Sequence, residues 1–201
     1  MQVGEVIGGS IATLLVQVKR GLGMEWPLPF GSFVKINCES HDVIGVVIDA
    51  RYESLGRVRP RSRWIKERET FDKIYPDIHE KFLSIAEVFV LGYIKNNIPQ
   101  QILPSAPPDI HSPAFLMLDD EIRRFHRVDE NSRKVRMDYI YRLIDELKFG
   151  RCMDVLRVIV DKLESLGADR EAIVREISEA YIALGEEETA LKIASLLLRR
   201  G

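Results

Sequence analysis

The apolar pattern changes its period once along the chain, at a block of four prolines. Pro104, Pro107, Pro108 and Pro113 stand within "PSAPPDIHSP". Before them, apolar residues alternate or run together over short stretches bounded by glycine, which is the pattern of strands. After them, apolar residues recur every three or four positions over long stretches, which is the pattern of amphipathic helices. Proline lacks an N–H and holds φ near one value, so it continues neither a helix nor a sheet ladder. The expected class is therefore α+β. A small, mostly antiparallel β-barrel takes residues 1–113, and an all-helical bundle of antiparallel helices takes residues 114–201.

The strand half begins with "QVGEVIG" (Gln2–Gly8) and "IATLLVQVK" (Ile11–Lys19). Gly8-Gly9-Ser10 between them predicts a tight hairpin, because glycine permits the positive φ that such turns need. "GLGMEWPLPFG" (Gly21–Gly31) reads as a loop from its Gly and Pro content. "FVKIN" (Phe33–Asn37) and "VIGVVIDA" (Val43–Ala50) are strands joined by a turn at "ESHD", and "AEVFVLGYI" (Ala86–Ile94) is another. Gly45 and Gly92 lie inside these runs. Interior glycines in strands mark bulges or the sharp coiling of a small closed barrel. A long insertion, residues 51–84, separates the last two strands, and its second part has helical spacing broken at Pro76.

Beyond the prolines, "AFLMLDDEIRRFH" (Ala114–His126) predicts a short helix with acids near its start. "SRKVRMDYIYRLIDELKFG" carries the stripe Val135, Tyr139, Ile140, Leu143, Ile144 and Leu147, and Gly150 reads as its stop. Its Arg136, Arg142, Tyr139 and Tyr141 read as ordinary amphipathic structure. Helices ending at Gly167 and Gly185 follow, the second opened by Asp169 as N-cap, and then "EEETALKIASLLLRR". The last two resemble a single tetratricopeptide-like hairpin, whereas a solenoid needs more repeats. The proline block itself has two readings. It is a rigid strap that closes the barrel and sets the exit of the helices, or an exposed polyproline ligand for an aromatic groove.

Chemistry is sparse. No G-x-x-x-x-G-K-[ST] phosphate loop and no G-x-S-x-G elbow occurs. His41, His79, His111 and His126 are not paired at metal-ligand spacing, and Cys38–His41 is a lone C-x-x-H. The acids Asp119, Asp120 and Glu121 are adjacent on a helix, so they point in different directions rather than at one ion. No catalytic residue, metal or cofactor is expected. The net charge of −2 gives no overall nucleic-acid signal. Two distant cysteines, no leader-like start and no membrane-length apolar run predict a reducing, cytoplasmic setting without membrane contact. Many charges with few Asn, Gln and Cys suit a thermophile.

The sharpest local feature is "GRVRPRSRWIKER" (Gly56–Arg68). Arg57, Arg59, Arg61, Arg63, Lys66 and Arg68 surround Trp64. Forked guanidinium donors suit phosphates, and an aromatic side chain among them can stack on a base. The same segment suits acidic groups on a protein partner, or plain solvation. Glu67, Glu69 and Asp72 weigh against a pure nucleic-acid reading.

Taken in series, "VGEVIGGSIATLLVQV", "FGSFVKINCESHDVIGVVIDARYES", "VFVLGYI" and "PSAPPDIHSPAFLMLDDEIRRFH" resemble the HAS-barrel. This is the N-terminal barrel of HerA-type archaeal DNA translocases and of rotary ATP synthase ring subunits. The likeness covers roughly residues 1–127 and departs where the motor domain with its phosphate loop would begin. The resemblance implies a ring-assembly or partner-docking role. The expected function is a non-catalytic protein-interaction or assembly module, an accessory factor in archaeal DNA processing or repair. A nuclease or translocase is the implied protein partner, and self-association is compatible with the sequence. The alternative is a nucleic-acid-binding protein acting through Arg57–Arg68, and a weaker one is a metal-dependent hydrolase.

Overall fold

The computed structural model describes residues 1–19, 28–54, 82–128 and 135–198. Seven described strands form one antiparallel sheet: β1 (Gln2–Gly9), β2 (Thr13–Val18), β3 (Phe33–Asn37), β4 (Asp42–Ser54), β5 (Phe82–Lys95), β6 (Ile98–Gln100) and β7 (Pro113–Leu116). The sheet order is β2-β1-β7-β3-β4-β5-β6, and β2 also pairs with β5. That extra pairing closes six strands into a barrel, with β6 appended beside β5. Five described helices follow: α1 (Asp119–His126), α2 (Ile140–Glu146), α3 (Phe149–Ser165), α4 (Arg170–Ala183) and α5 (Glu187–Leu198). The expected α+β class, barrel first and helices after, is what the chain adopts.

Alternation along the strands sorts the side chains into two cores. Val34, Ile36, Val43, Val47, Val88 and Val90 face the barrel interior. Phe33, Ile44, Val46, Ile48, Phe89 and Leu91 lie on the opposite face and share a core with α1–α5. Strands β3, β4 and β5 are thus buried on both sides. This is why "VIGVVIDA" and "AEVFVLGYI" read as nearly continuous apolar runs, whereas a half-exposed strand alternates. The barrel wall is the floor on which the helices pack.

Gly45 and Gly92 lie at register shifts, as interior glycines suggest. Ile44 faces Gly92 while Gly45 faces Val90, so Leu91 is the extra residue. A Cβ on Gly45 would stand 2.4 Å from Val88 Cγ1 and 2.7 Å from the Phe89 carbonyl oxygen. The early hairpin is closed by Ser10, whose Oγ accepts from the amides of Ala12 and Thr13 at 3.2 and 3.1 Å.

Several expectations about element limits change. Ala114–Leu116, expected as the start of a helix, belong to β7, which pairs with β1 and β3. The proline block is therefore the connection that carries the chain into the last gap of the barrel. Before β7, the Val6 amide donates to Ser112 O and the His111 amide donates to Val6 O. Gly150 does not stop a helix; it sits in the first turn of α3. The segment 135–139 is not helical, although Val135 and Tyr139 are buried as the stripe implied. β6 had no sequence signal beyond a three-residue run around Pro99. Strands β4 and β5 also extend into the expected insertion, to Ser54 and from Phe82.

The helices are joined by turns at Gly167 and Gly185, both with positive φ. Arg170, at the start of α4, binds them together. Its Nε donates to Leu197 O at 2.7 Å, and its Nη1 reaches Asp161 Oδ1 at 2.7 Å and Glu164 Oε2 at 2.6 Å. The first of these contacts joins the beginning of α4 to the end of α5, so the two run antiparallel. Asp169 caps α4 as expected, accepting from the Glu171 amide.

Candidate interaction surface

The β4–β5 ladder outruns its neighbours. β3 pairs β4 only at Asp42–Val46, and β2 pairs β5 only at Ile85–Phe89. Asp49–Ser54 and Phe82–Glu87 continue the ladder, and its last three pairs, Tyr52–Ser84, Glu53–Leu83 and Ser54–Phe82, form a short two-stranded arm beyond both neighbours. Arg57, Arg59, Arg61, Arg63, Trp64, Lys66 and Arg68 lie outside the described residues. What the structure supplies is their attachment: residues 55–81 leave and re-enter the fold at one point, the tip of this arm.

The arm is anchored at its base and charged along one side. Asp49 Oδ1 accepts from the Ala50 amide at 3.0 Å, and its other oxygen meets Arg151 Nη2 of α3 at 3.3 Å. Arg51 Nε donates to Glu53 Oε1 at 2.8 Å and Nη1 stands 3.7 Å from Glu87 Oε2. These pairs are substantially exposed, so each contributes well under 1 kcal/mol. Arg51 serves both Glu53 and Glu87, so three acids meet two arginines and one negative charge is left over among these groups. In the sequence beyond Glu53 no further acid occurs before Glu67, which leaves Arg57, Arg59, Arg61, Arg63 and Lys66 as an uninterrupted cationic run. Ser84, opposite Tyr52 on the arm, is buried, and its Oγ has no hydrogen-bond partner among the described residues.

A polar junction behind the barrel holds the platform that carries the arm. The register shift at Leu91 turns β5 carbonyls away from β4, and Arg142 of α2 collects them. Its guanidinium donates to Val90 O at 3.1 Å, Leu91 O at 2.9 Å and Gln101 O at 3.4 Å. Burial lowers its pKa from the ordinary arginine value, but a guanidinium stays charged. Buried Gln101 uses its whole amide: Nε2 donates to Phe125 O at 3.1 Å and Arg136 O at 2.8 Å, while Oε1 accepts from the Asp138 amide at 2.7 Å. His126 is fully buried between Phe33, Phe125 and Tyr139, edge-on to each ring. Its Nδ1 lies 2.9 Å from Ile122 O and its Nε2 3.0 Å from Tyr139 Oη. A carbonyl only accepts, so Nδ1 carries the proton and the Tyr139 hydroxyl donates to Nε2. Burial depresses the imidazole pKa to about 4 and raises that of the phenol. Arg142 and Tyr139, expected as ordinary amphipathic positions, are the pins of this junction. No periodicity could reveal it, because the partners are carbonyls exposed by a bulge.

The other polar groups are accounted for locally. The acids opening α1 diverge: Asp119 meets Lys162 of α3 at 2.7 Å, and Glu121 meets Lys35 of β3 at 2.5 Å. Glu121 also accepts from the Leu118 amide. Burial tends to raise the Glu121 pKa, but these hydrogen bonds outweigh it and lower the value. Cys38 and His41 belong to the β3–β4 turn, where the Cys38 amide donates to His41 O and the imidazole Nδ1 meets Ser40 Oγ. Cys152 lies in the helical core, 3.5 Å from Tyr181 Oη, and burial raises both thiol pKa values. Among the described residues no group of three or more His, Cys, Asp or Glu could hold a metal ion, and no helix is long and apolar enough to cross a membrane.

The fold and surface define a class, a closed six-stranded antiparallel barrel with helices packed on its outer wall. No protein-family model matches the chain, and no curated protein matches it.

Proposed function

We propose that this protein is a non-catalytic interaction module, in which barrel and helices form a rigid platform and the β4–β5 arm offers the Arg57–Arg68 segment to an acidic surface on a protein partner. The observation that supports this most is the pairing of Ser54 with Phe82, from which residues 55–81, the stretch that contains the basic segment, leave and return. An uninterrupted run of cations in the sequence suits an acidic partner surface, and such charges chiefly set encounter rate and specificity. The closed barrel is compatible with the HAS-barrel resemblance, and that resemblance alone supplies the finer reading: an accessory factor docking on a nuclease or translocase in archaeal DNA processing. The second reading, direct nucleic-acid contact, is favoured by Trp64 standing among the arginines.

One variant separates the two. Reversal of Arg57, Arg59, Arg61 and Arg63 to Glu is expected to leave the melting temperature unchanged and to abolish capture of the partner from host extract treated with nuclease. Loss of salt-dependent DNA retention, with protein capture intact, would transfer the role to nucleic acid. Capture and retention both unaffected would remove the arm from the function. Magnesium- or manganese-dependent turnover of nucleic acid would overturn the non-catalytic assignment.

A further inference from the structure

Helix α1 ends on three unpartnered arginines. Arg123, Arg124 and Arg127 are exposed, and none has a hydrogen-bond or ion-pair partner for its side chain among the described residues. Arg127 stands four residues after Arg123 and three after Arg124, so it neighbours both on one side of the helix. The acids of α1 are drawn elsewhere, Asp119 to Lys162 and Glu121 to Lys35, which leaves Asp120 against three cations. Glu121 lies in the field of Arg124 but is bonded to Lys35. Compensation of the helix dipole does not account for the cluster. A helix C-terminus carries about half a negative charge. The last carbonyls here are already satisfied, Arg124 O by the Arg127 amide at 3.2 Å and Arg123 O by the Val128 amide at 3.0 Å. Arg127 itself is left-handed, with φ of +49° and ψ of +45°. A side chain at such a position costs energy that glycine avoids. Glycine takes the positive φ after α3 and α4, at Gly167 and Gly185. At the end of α1 the chain keeps an arginine that strains the backbone and returns no side-chain contact to the described fold, which points to a use outside the fold.

We propose that Arg123, Arg124 and Arg127 bind the phosphate of a phosphorylated serine or threonine on a partner protein. The inference does not rest on the arm. Guanidinium forks match the oxygens of a phosphate monoester, whose charge in a small volume suits three cations crowded at one helix end. Arginine clusters are a recurring device for reading a phosphorylated side chain. An extended polyanion fits less well. The free cations stop within about one turn, and Asp120 stands one turn before Arg123. Arg136, whose amide meets His126 O, is engaged by Asp138. The chain as a whole carries a net charge of −2. A nucleotide would gain from stacking, but the aromatic rings at this end, Phe125 and Tyr139, are buried.

The test is calorimetric titration of the full chain with the pentapeptide Gly-Gly-phosphoserine-Gly-Gly and with its unphosphorylated form. Saturable binding of the phosphorylated peptide alone is expected, tightening as pH rises through about 6, where the phosphate gains its second charge. Arg123→Gln with Arg124→Gln should weaken it at least about tenfold, since charge-assisted hydrogen bonds are lost. Arg157→Gln with Arg175→Gln, exposed arginines of α3 and α4, should leave it unchanged. Arg127→Gly separates binding from folding: it should weaken binding of the peptide yet keep or raise the melting temperature, because the backbone strain is relieved. No saturable binding, equal binding of the unphosphorylated peptide, affinity untouched by the changes on α1, loss with the α3–α4 pair, or a lowered melting temperature for Arg127→Gly would overturn the proposal. So would tighter binding of adenosine monophosphate or duplex DNA through the same arginines, which would assign the face to nucleotides or nucleic acid.

Discussion

Burial of neutral His126 predicts a specific acid sensitivity. The imidazole pKa falls from 6.5 to about 4 on folding because burial disfavours the charged form. Below the unfolded value the unfolded chain therefore binds a proton that the folded chain refuses. Stability contributed by this group is complete above pH 6.5 and is lost as pH falls toward the folded value. The drop over that window is about 3 kcal/mol, a large share of what a small domain has. The geometry gives the reason: a proton on Nε2 removes the acceptor of the Tyr139 hydroxyl, and no aromatic neighbour can replace it. The assay is urea unfolding from about pH 7.5 to about pH 4, on wild type and His126→Gln. The variant should be less stable near neutrality, yet its stability should fall less steeply, by up to about 1.4 kcal/mol per pH unit. The titrations of Glu121, lowered, and Asp42, raised mainly by burial, are common to both proteins and cancel in the difference. Parallel curves between pH 6.5 and 4 would refute the reasoning.

Two further substitutions examine how the helices sit on the barrel. Gly31, with φ of +80°, approaches α3 so closely that a Cβ would stand 2.1 Å from Val158 Cγ1. Gly31→Ala should cost about 3 kcal/mol, and a double-mutant cycle with Val158→Ala should recover part of the steric cost, because Val158 Cβ still stands 2.9 Å away, but not the backbone strain of about 1 kcal/mol. Gln101→Leu strands the Asp138 amide and two carbonyls, so a loss of about 2 kcal/mol in urea unfolding is expected with the far-ultraviolet spectrum unchanged.

Much of the architecture was legible because it follows from local pattern. The period change at the prolines, the glycines at strand bulges and the capped helices each rest on a few neighbouring residues. The failures share a physical cause. Ala114–Leu116 have no strand signal of their own; they become β7 because β1 and β3 leave a gap whose backbone groups need partners. Gln101, Arg142 and His126 looked unremarkable because their partners lie on other elements and are mostly backbone carbonyls. The basic run around Trp64 was visible in the sequence, but that residues 55–81 spring from the end of the β4–β5 ladder depends on these two strands outrunning those beside them.

The sequence by itself determined the division into a strand half and a helical half, the approximate limits of the first five strands, the helix stops at Gly167 and Gly185 and the position of the cationic segment. Periodicity, proline and glycine act within a few residues, so one dimension suffices for them. Tertiary structure alone decided that the barrel closes through β2 and β5, that β3, β4 and β5 are buried on both faces, and that a histidine, a glutamine and an arginine pin the helices to the wall. Those outcomes depend on which distant groups are left without water or a hydrogen-bond partner once the elements meet, and the cost of leaving such groups unpaired chooses among arrangements that local pattern leaves equal.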